Sequence, residues 1–168
     1  MNLQFYVEKL KASDVFKNFM KENPSAYACS GFFIIDKTGK EPNKQHFDFW
    51  IPENKKLMSF QIENMQLVPL EDFGKIPDKL FLEQDIEFDE IEKMIEERMA
   101  KEGLKDKIQK MLFSLQSKDK KIFLIVTVFV PKLGLITATV DLEKMEIDEF
   151  EKKSFMDMIN VFKKKEKD

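Results

Sequence analysis

His46-Phe47-Asp48-Phe49-Trp50-Ile51-Pro52-Glu53-Asn54-Lys55-Lys56-Leu57-Met58-Ser59-Phe60-Gln61-Ile62 is the stretch whose reading decides the fold class. Phe47, Phe49 and Ile51 alternate with His46, Asp48 and Trp50, and after the turn at Pro52 to Lys55 the residues Met58, Phe60 and Ile62 alternate with Ser59, Gln61 and Glu63. A period of two places successive side chains on opposite faces of a strand, so two strands of an antiparallel meander are expected, with one strongly apolar face. Such a face has to be covered. The cover is expected from upstream, where Leu3, Tyr6, Val7 and Leu10 recur at helical spacing, the phase breaks at Ala12-Ser13, and Val15, Phe16, Phe19 and Met20 resume it. Ser13 is a natural N-cap and Pro24 opposes continuation, which predicts two short helices or one kinked helix. Between them and the meander, Phe32-Phe33-Ile34-Ile35 is apolar on both faces, as suits a strand near the centre of a sheet.

The same order returns downstream. Asp89 is read as a helix cap, Ile91, Met94, Ile95 and Met99 as one apolar stripe, and Gly103 as the residue just past the helix end. Met111, Phe113 and Leu115 then alternate, Ser117 to Lys120 turns the chain, and Lys121 to Val130 is the most strand-prone run, with Ile125 expected in the core. Leu135 to Leu142 gives a further strand. A final helix is expected to carry Phe150, Phe155, Met158, Ile159 and Phe162, with Glu146, Asp148, Glu149 and Glu151 at its start. The fold class expected is α+β, in two similar halves, each a helix packed on an antiparallel β-meander, plus a C-terminal helix. The halves span residues 1–70 and 86–168. Residues 71–85 connect them, and a short strand is expected at Met65 to Val68.

Composition narrows the function classes. With 168 residues, 43% hydrophobic and 35% charged, the chain can bury a core without staples. A net charge of -3 and a single arginine, Arg98, argue against nucleic acid, because base edges are commonly read by guanidinium forks. Cys29 is the one cysteine, which excludes an intrachain disulfide and a structural zinc site built from several cysteines. Glu8, Lys9 and Lys11 interrupt the N-terminal apolar residues, and the apolar run from Ile122 to Pro131 is about half the length of a bilayer span. A cytoplasmic protein with no membrane partner is expected.

Ile34-Ile35-Asp36-Lys37-Thr38-Gly39-Lys40 resembles the strand-exit motif of PepSY-type domains, in which a strand ends in Asp and a Thr-Gly pair turns the chain. Thr139 to Ile147 resembles a degraded second copy, with Met145 where the glycine would stand. The resemblance implies small α+β modules of cystatin-like build, arranged in tandem. It also implies a non-enzymatic role of binding or inhibition, often directed at a peptidase.

The residues themselves carry little chemistry. His46 is the lone histidine, and Asp48 shares its strand face, but no motif places a nucleophile beside them, so no catalytic residue is assigned. No spacing suggests a metal site, and five scattered glycines form no phosphate-binding loop, so no cofactor is expected. Cys29 lies among small residues and reads as a buried structural thiol. Trp50, with His46 and Asp48 beside it, is the expected binding site, the indole serving as an exposed anchor for a protein or peptide partner. The competing reading is a binder of a small apolar ligand, or an unrecognised enzyme, with its pocket between helix and curved sheet.

Overall fold

A computed structural model describes residues 1–71, 74–132, 134–154 and 164. The described elements are α1 (Leu3–Ala12), α2 (Asp14–Glu22), β1 (Tyr27–Asp36), β2 (Lys44–Ile51), β3 (Lys56–Gln61), β4 (Gln66–Leu70), α3 (Phe88–Lys101), β5 (Lys110–Lys118), β6 (Lys121–Val130), β7 (Gly134–Asp141) and β8 (Glu146–Lys153). All eight strands belong to one antiparallel sheet in the order β4-β3-β2-β1-β5-β6-β7-β8. The class is α+β, as expected. Instead of two separate sheets, the chain builds two meanders that grow outward from a shared centre, where β1 pairs with β5 from Ser30↔Gln116 to Asp36↔Lys110.

Local chemistry explains the helix ends. Ser13 closes α1 and opens α2: its backbone N–H and its Oγ both donate to the Leu10 carbonyl, at 3.1 and 2.8 Å, while the same Oγ accepts from the Phe16 N–H at 3.2 Å. The phase break in the sequence is therefore a true boundary between two helices. α3 begins one residue earlier than the expected cap, with Glu87 at the N-cap and Asp89 and Glu90 in the first turn, where negative charge faces the positive end of the helix dipole. It ends in a Schellman motif: Gly103, at φ 75°, donates to Ala100 at 3.1 Å and Leu104 donates to Met99 at 2.9 Å.

All three described helices contribute to a core on one face of the sheet. Phe16 and Phe19 stack edge-on against Phe49 and Phe60, with centroids 4.9 to 5.9 Å apart. Phe88 bridges the centre, touching Phe33 of β1 at 4.6 Å and Phe113 of β5 at 5.1 Å. Gly31 lies between them for a steric reason: a Cβ there would come within 3.3 Å of the Phe33 and Phe47 rings.

Two expectations are corrected here. Ile125 is only partly buried, because β6 points Leu124, Val126, Val128 and Val130 at the helices and puts Ile125 on the other face. Glu146 to Lys153 is not the start of a helix. It forms edge strand β8, where a bulge at Asp148 resets the parity so that both Ile147 and Phe150 pack against the core and the charges stay in water. Phe155, Met158, Ile159 and Phe162, the rest of that expected helix, lie outside the described residues.

Candidate functional site

The face of the sheet away from the three helices is where the expected site residues meet. Strand pairing sets His46, Asp48 and Trp50 of β2 between Phe32, Ser30 and Tyr27 of β1 and Gln61, Ser59 and Leu57 of β3. A bulge between Ala28 and Ser30 on β1 lets Cys29 turn toward this face as well, where it packs with Trp50 and Leu57. The connection after β4 then works as a strap. Tyr27 Oη donates to the Pro77 carbonyl at 2.7 Å, the Leu80 N–H donates to the Ala28 carbonyl at 2.7 Å, and Leu80, Leu82 and Ile86 enter the core beside the helices. The strap thus passes around the end of the sheet from one face to the other.

Beneath it lies a pocket of about 310 Å³, bounded by Cys29, Ser30, Asp48, Trp50 and Leu57 on the sheet and by Lys75, Pro77 and Asp78 on the strap, with Gln116 and Ser117 from β5 closing the side. Trp50 is 4% exposed. Its expected role as an exposed anchor is therefore corrected: its strand face was read properly, but Tyr27, Leu57 and the strap enclose the indole. The strap was the signal the sequence reading passed over, since Leu80, Leu82 and Ile86 are spaced by even numbers behind Pro69, Gly74 and Pro77.

Asp48 organises the polar part of the site. Its Oδ1 meets His46 Nδ1 at 3.0 Å, its Oδ2 accepts from Ser30 Oγ at 2.7 Å, and Ser59 Oγ lies 3.1 Å from the same His46 nitrogen. Burial works to raise the Asp48 pKa, yet the hydrogen bond and charge of His46 and the hydroxyls of Ser30 and Ser59 prevail and hold it below the usual carboxylate value. This arrangement is not a relay. A catalytic triad uses opposite ring nitrogens for the orienting carboxylate and the nucleophile, whereas His46 meets both Asp48 and Ser59 through Nδ1. Cys29 offers no nucleophile either: burial first, then the Asp48 charge, push its thiol up to about 12. Among the described residues, no three His, Cys, Asp or Glu side chains are grouped to hold a metal ion, and no helix is long and apolar enough to cross a membrane.

Beyond the pocket the same face carries a set of partly buried apolar side chains. Phe32 and Ile34 on β1, Leu112 on β5, Ile125 and Phe129 on β6 and Leu135 on β7 share that face with Ser114, Thr127, Thr137 and Thr139; Ile34 pairs with Leu112 and Phe129 with Leu135. A wider depression of about 500 Å³ lies along α3 and the segment after it, around Glu92, Glu96, Met99 and Leu104, where Lys37 Nζ is 2.7 Å from Glu92.

The two strand-exit aspartates do similar work. Asp36 accepts from the Thr38 N–H at 3.0 Å and the Glu41 N–H at 2.7 Å, and Asp141 accepts from Glu143 and Lys144 at 3.0 and 3.1 Å. Met145 holds φ 51°, a left-handed conformation comparable to the 71° of Gly39.

No protein family matches the chain in sequence, and no curated protein does. Among solved structures, a putative lipoprotein from Clostridium difficile is similar in fold, with a TM-score of 0.54, 13% identity, and coverage of 83% of this chain and 91% of that one.

Proposed function

We propose that this protein is a non-enzymatic binding module of PepSY-like build, made of two related halves, that takes a protein or peptide partner on the outer face of its sheet. The observation that carries this reading is the set of partly buried apolar side chains from Phe32 to Leu135, which faces away from all three described helices and is spread over four strands among Ser114, Thr127, Thr137 and Thr139. Support for related halves comes from the order of elements, helix then four-stranded meander, which occurs twice. Binding or inhibition is the role that the PepSY resemblance implies. The polar cluster around Asp48 favours binding over turnover, since its histidine and serines are spent on holding one carboxylate.

The pocket under the strap favours a second reading, a small-ligand binder, because Asp48 points an ionised group into a partly enclosed space. The test separates the two. Ile125→Asp, Phe129→Asp and His46→Ala variants, each confirmed folded by circular dichroism, are compared with the wild type for capture of proteins from the source cell. Loss of a specific captured protein with Ile125→Asp and Phe129→Asp, and its retention with His46→Ala, is the expected result. Capture indifferent to the sheet-face changes, or a turnover abolished by His46→Ala, overturns the module reading.

A further inference from the structure

The lining of the pocket beneath the strap carries more negative charge than positive, with two carboxylates against one lysine. Ser30 Oγ already donates to Asp48 Oδ2 at 2.7 Å, Gln116 Nε2 to Ser114 Oγ at 2.8 Å, and Cys29 Sγ to the Asp48 carbonyl at 3.4 Å. The charged groups that line the pocket are the Asp48 and Asp78 carboxylates, Asp78 also accepting from the Asp119 N–H at 2.8 Å, against one cation, Lys75, which is exposed on the strap. A carboxylate offers about four lone-pair sites. His46 and Ser30 occupy two of those on Asp48, which leaves it able to accept further. An anion would face this carboxylate at a repulsive distance. A cationic donor suits it. Beside it on the sheet, Trp50 and Leu57 give an apolar wall, and an indole beside a carboxylate is favourable for an ammonium on an alkyl stem.

We propose that this pocket binds a primary alkylammonium group, carried by a lysine side chain or by a free alkylamine, with Asp48 as its counter-ion and Trp50 and Leu57 along its stem. The lysine source rests on the reading of the outer sheet face as a partner surface, because the pocket borders that face where Phe32 lies 5.1 Å from the His46 ring. The volume of about 310 Å³ is ample for such a stem.

Trp50 is the one tryptophan, so its fluorescence reports on the pocket without interference. Wild type and Asp48→Asn are titrated at pH 7 with n-pentylamine, with Nα-acetyl-lysine methylamide and with the uncharged Nα-acetyl-norleucine methylamide. The expected result is a saturable change with both amines and binding of the norleucine compound weaker by about tenfold or more, as the loss of a charge-assisted hydrogen bond implies. Asp48→Asn should lose the same factor for the amines while leaving norleucine binding unchanged. Tighter binding of the lysine compound than of pentylamine assigns the source to a polypeptide, and the reverse assigns it to a free amine. Equal binding of lysine and norleucine compounds, no saturation with either amine, or undiminished amine binding by Asp48→Asn overturns the proposal. If Asp48→Asn does not fold, the comparison of charged and uncharged ligands on the wild type decides alone. These probes do not reach the apolar side chains of the outer face, so failure here is distinct from failure of the Ile125→Asp capture test.

Discussion

Cys29 shows how strand geometry sets the chemistry of one side chain. The bulge at Ala28/Ser30 turns its thiol into the cluster with Trp50 and Leu57, and burial, followed by the Asp48 charge, raises its pKa to about 12. A thiol whose folded pKa exceeds its unfolded value of about 8.5 adds stability that is fully present below that unfolded value and is lost as pH rises toward the folded one. The alkaline window from about 8.5 to 12 is therefore where Cys29 weakens the fold. At pH 9, iodoacetamide should label Cys29 far more slowly in the native protein than in urea, while Cys29→Ser should flatten the alkaline fall in stability. Equal labelling rates in the two states would show the thiol to be open. The small residues around Cys29 made its burial legible in sequence. The bulge that chose its face was not, because bulges depend on the partner strand's register. Asp36 was readable for the opposite reason: its turn is local, and hydrogen bonds from the Glu41 N–H and then Thr38 hold its carboxyl near 2.

Strands, taken as elements, separate what periodicity can tell from what it cannot. Alternation placed the faces of β2 and β3 correctly because polar residues mark their outer side, as His46, Asp48, Ser59 and Gln61 do. β6 is marked only at Lys121 and Thr127. Phe123, Leu124, Ile125, Val126 and Val128 are all apolar, and the parity is fixed by β6 pairing with β5 on one side and β7 on the other. β8 misled for a related reason, since a charged edge strand and the first turns of a helix share a composition. The parity of β6 makes a paired prediction. Leu124→Ala, at a fully buried site, should cost about 2 to 5 kcal/mol, and Ile125→Ala about 1 kcal/mol, because only its partly covered surface is lost. Urea midpoints of the two variants give the comparison directly. A larger loss for Ile125→Ala would mean either that the register is shifted or that something packs tightly on the outer face.

At the scale of the molecule, the question is whether the two meanders are one folding unit. A helix followed by a meander could be expected to stand alone, and the sequence reading of two halves joined by residues 71–85 invites that view. The structure gives two reasons against independence. The β1–β5 ladder lies at the middle of the sheet, so separating the halves would expose two full strand edges whose faces carry Phe33, Ile35, Met111 and Phe113. Phe88, at the head of α3, packs against Phe33 of the first meander as well as Phe113 of the second, and the strap sends Leu80 and Leu82 into the common core. Each half would also sit near the size at which a lone hydrophobic core barely offsets chain entropy. Equilibrium unfolding in urea should accordingly show one transition, coincident by Trp50 fluorescence, which reports the first meander, and by far-UV circular dichroism, which reports both. Phe33→Ala and Phe113→Ala should each lower that shared midpoint, by about 3 to 5 kcal/mol of stability, and should leave the two probes coincident. Fragments 1–70 and 86–168 should be unfolded when separate. Two resolved transitions, or a folded 1–70 fragment, would show that the central ladder joins domains already complete, and would move the origin of stability from the shared aromatic seam to the separate helix-covered faces.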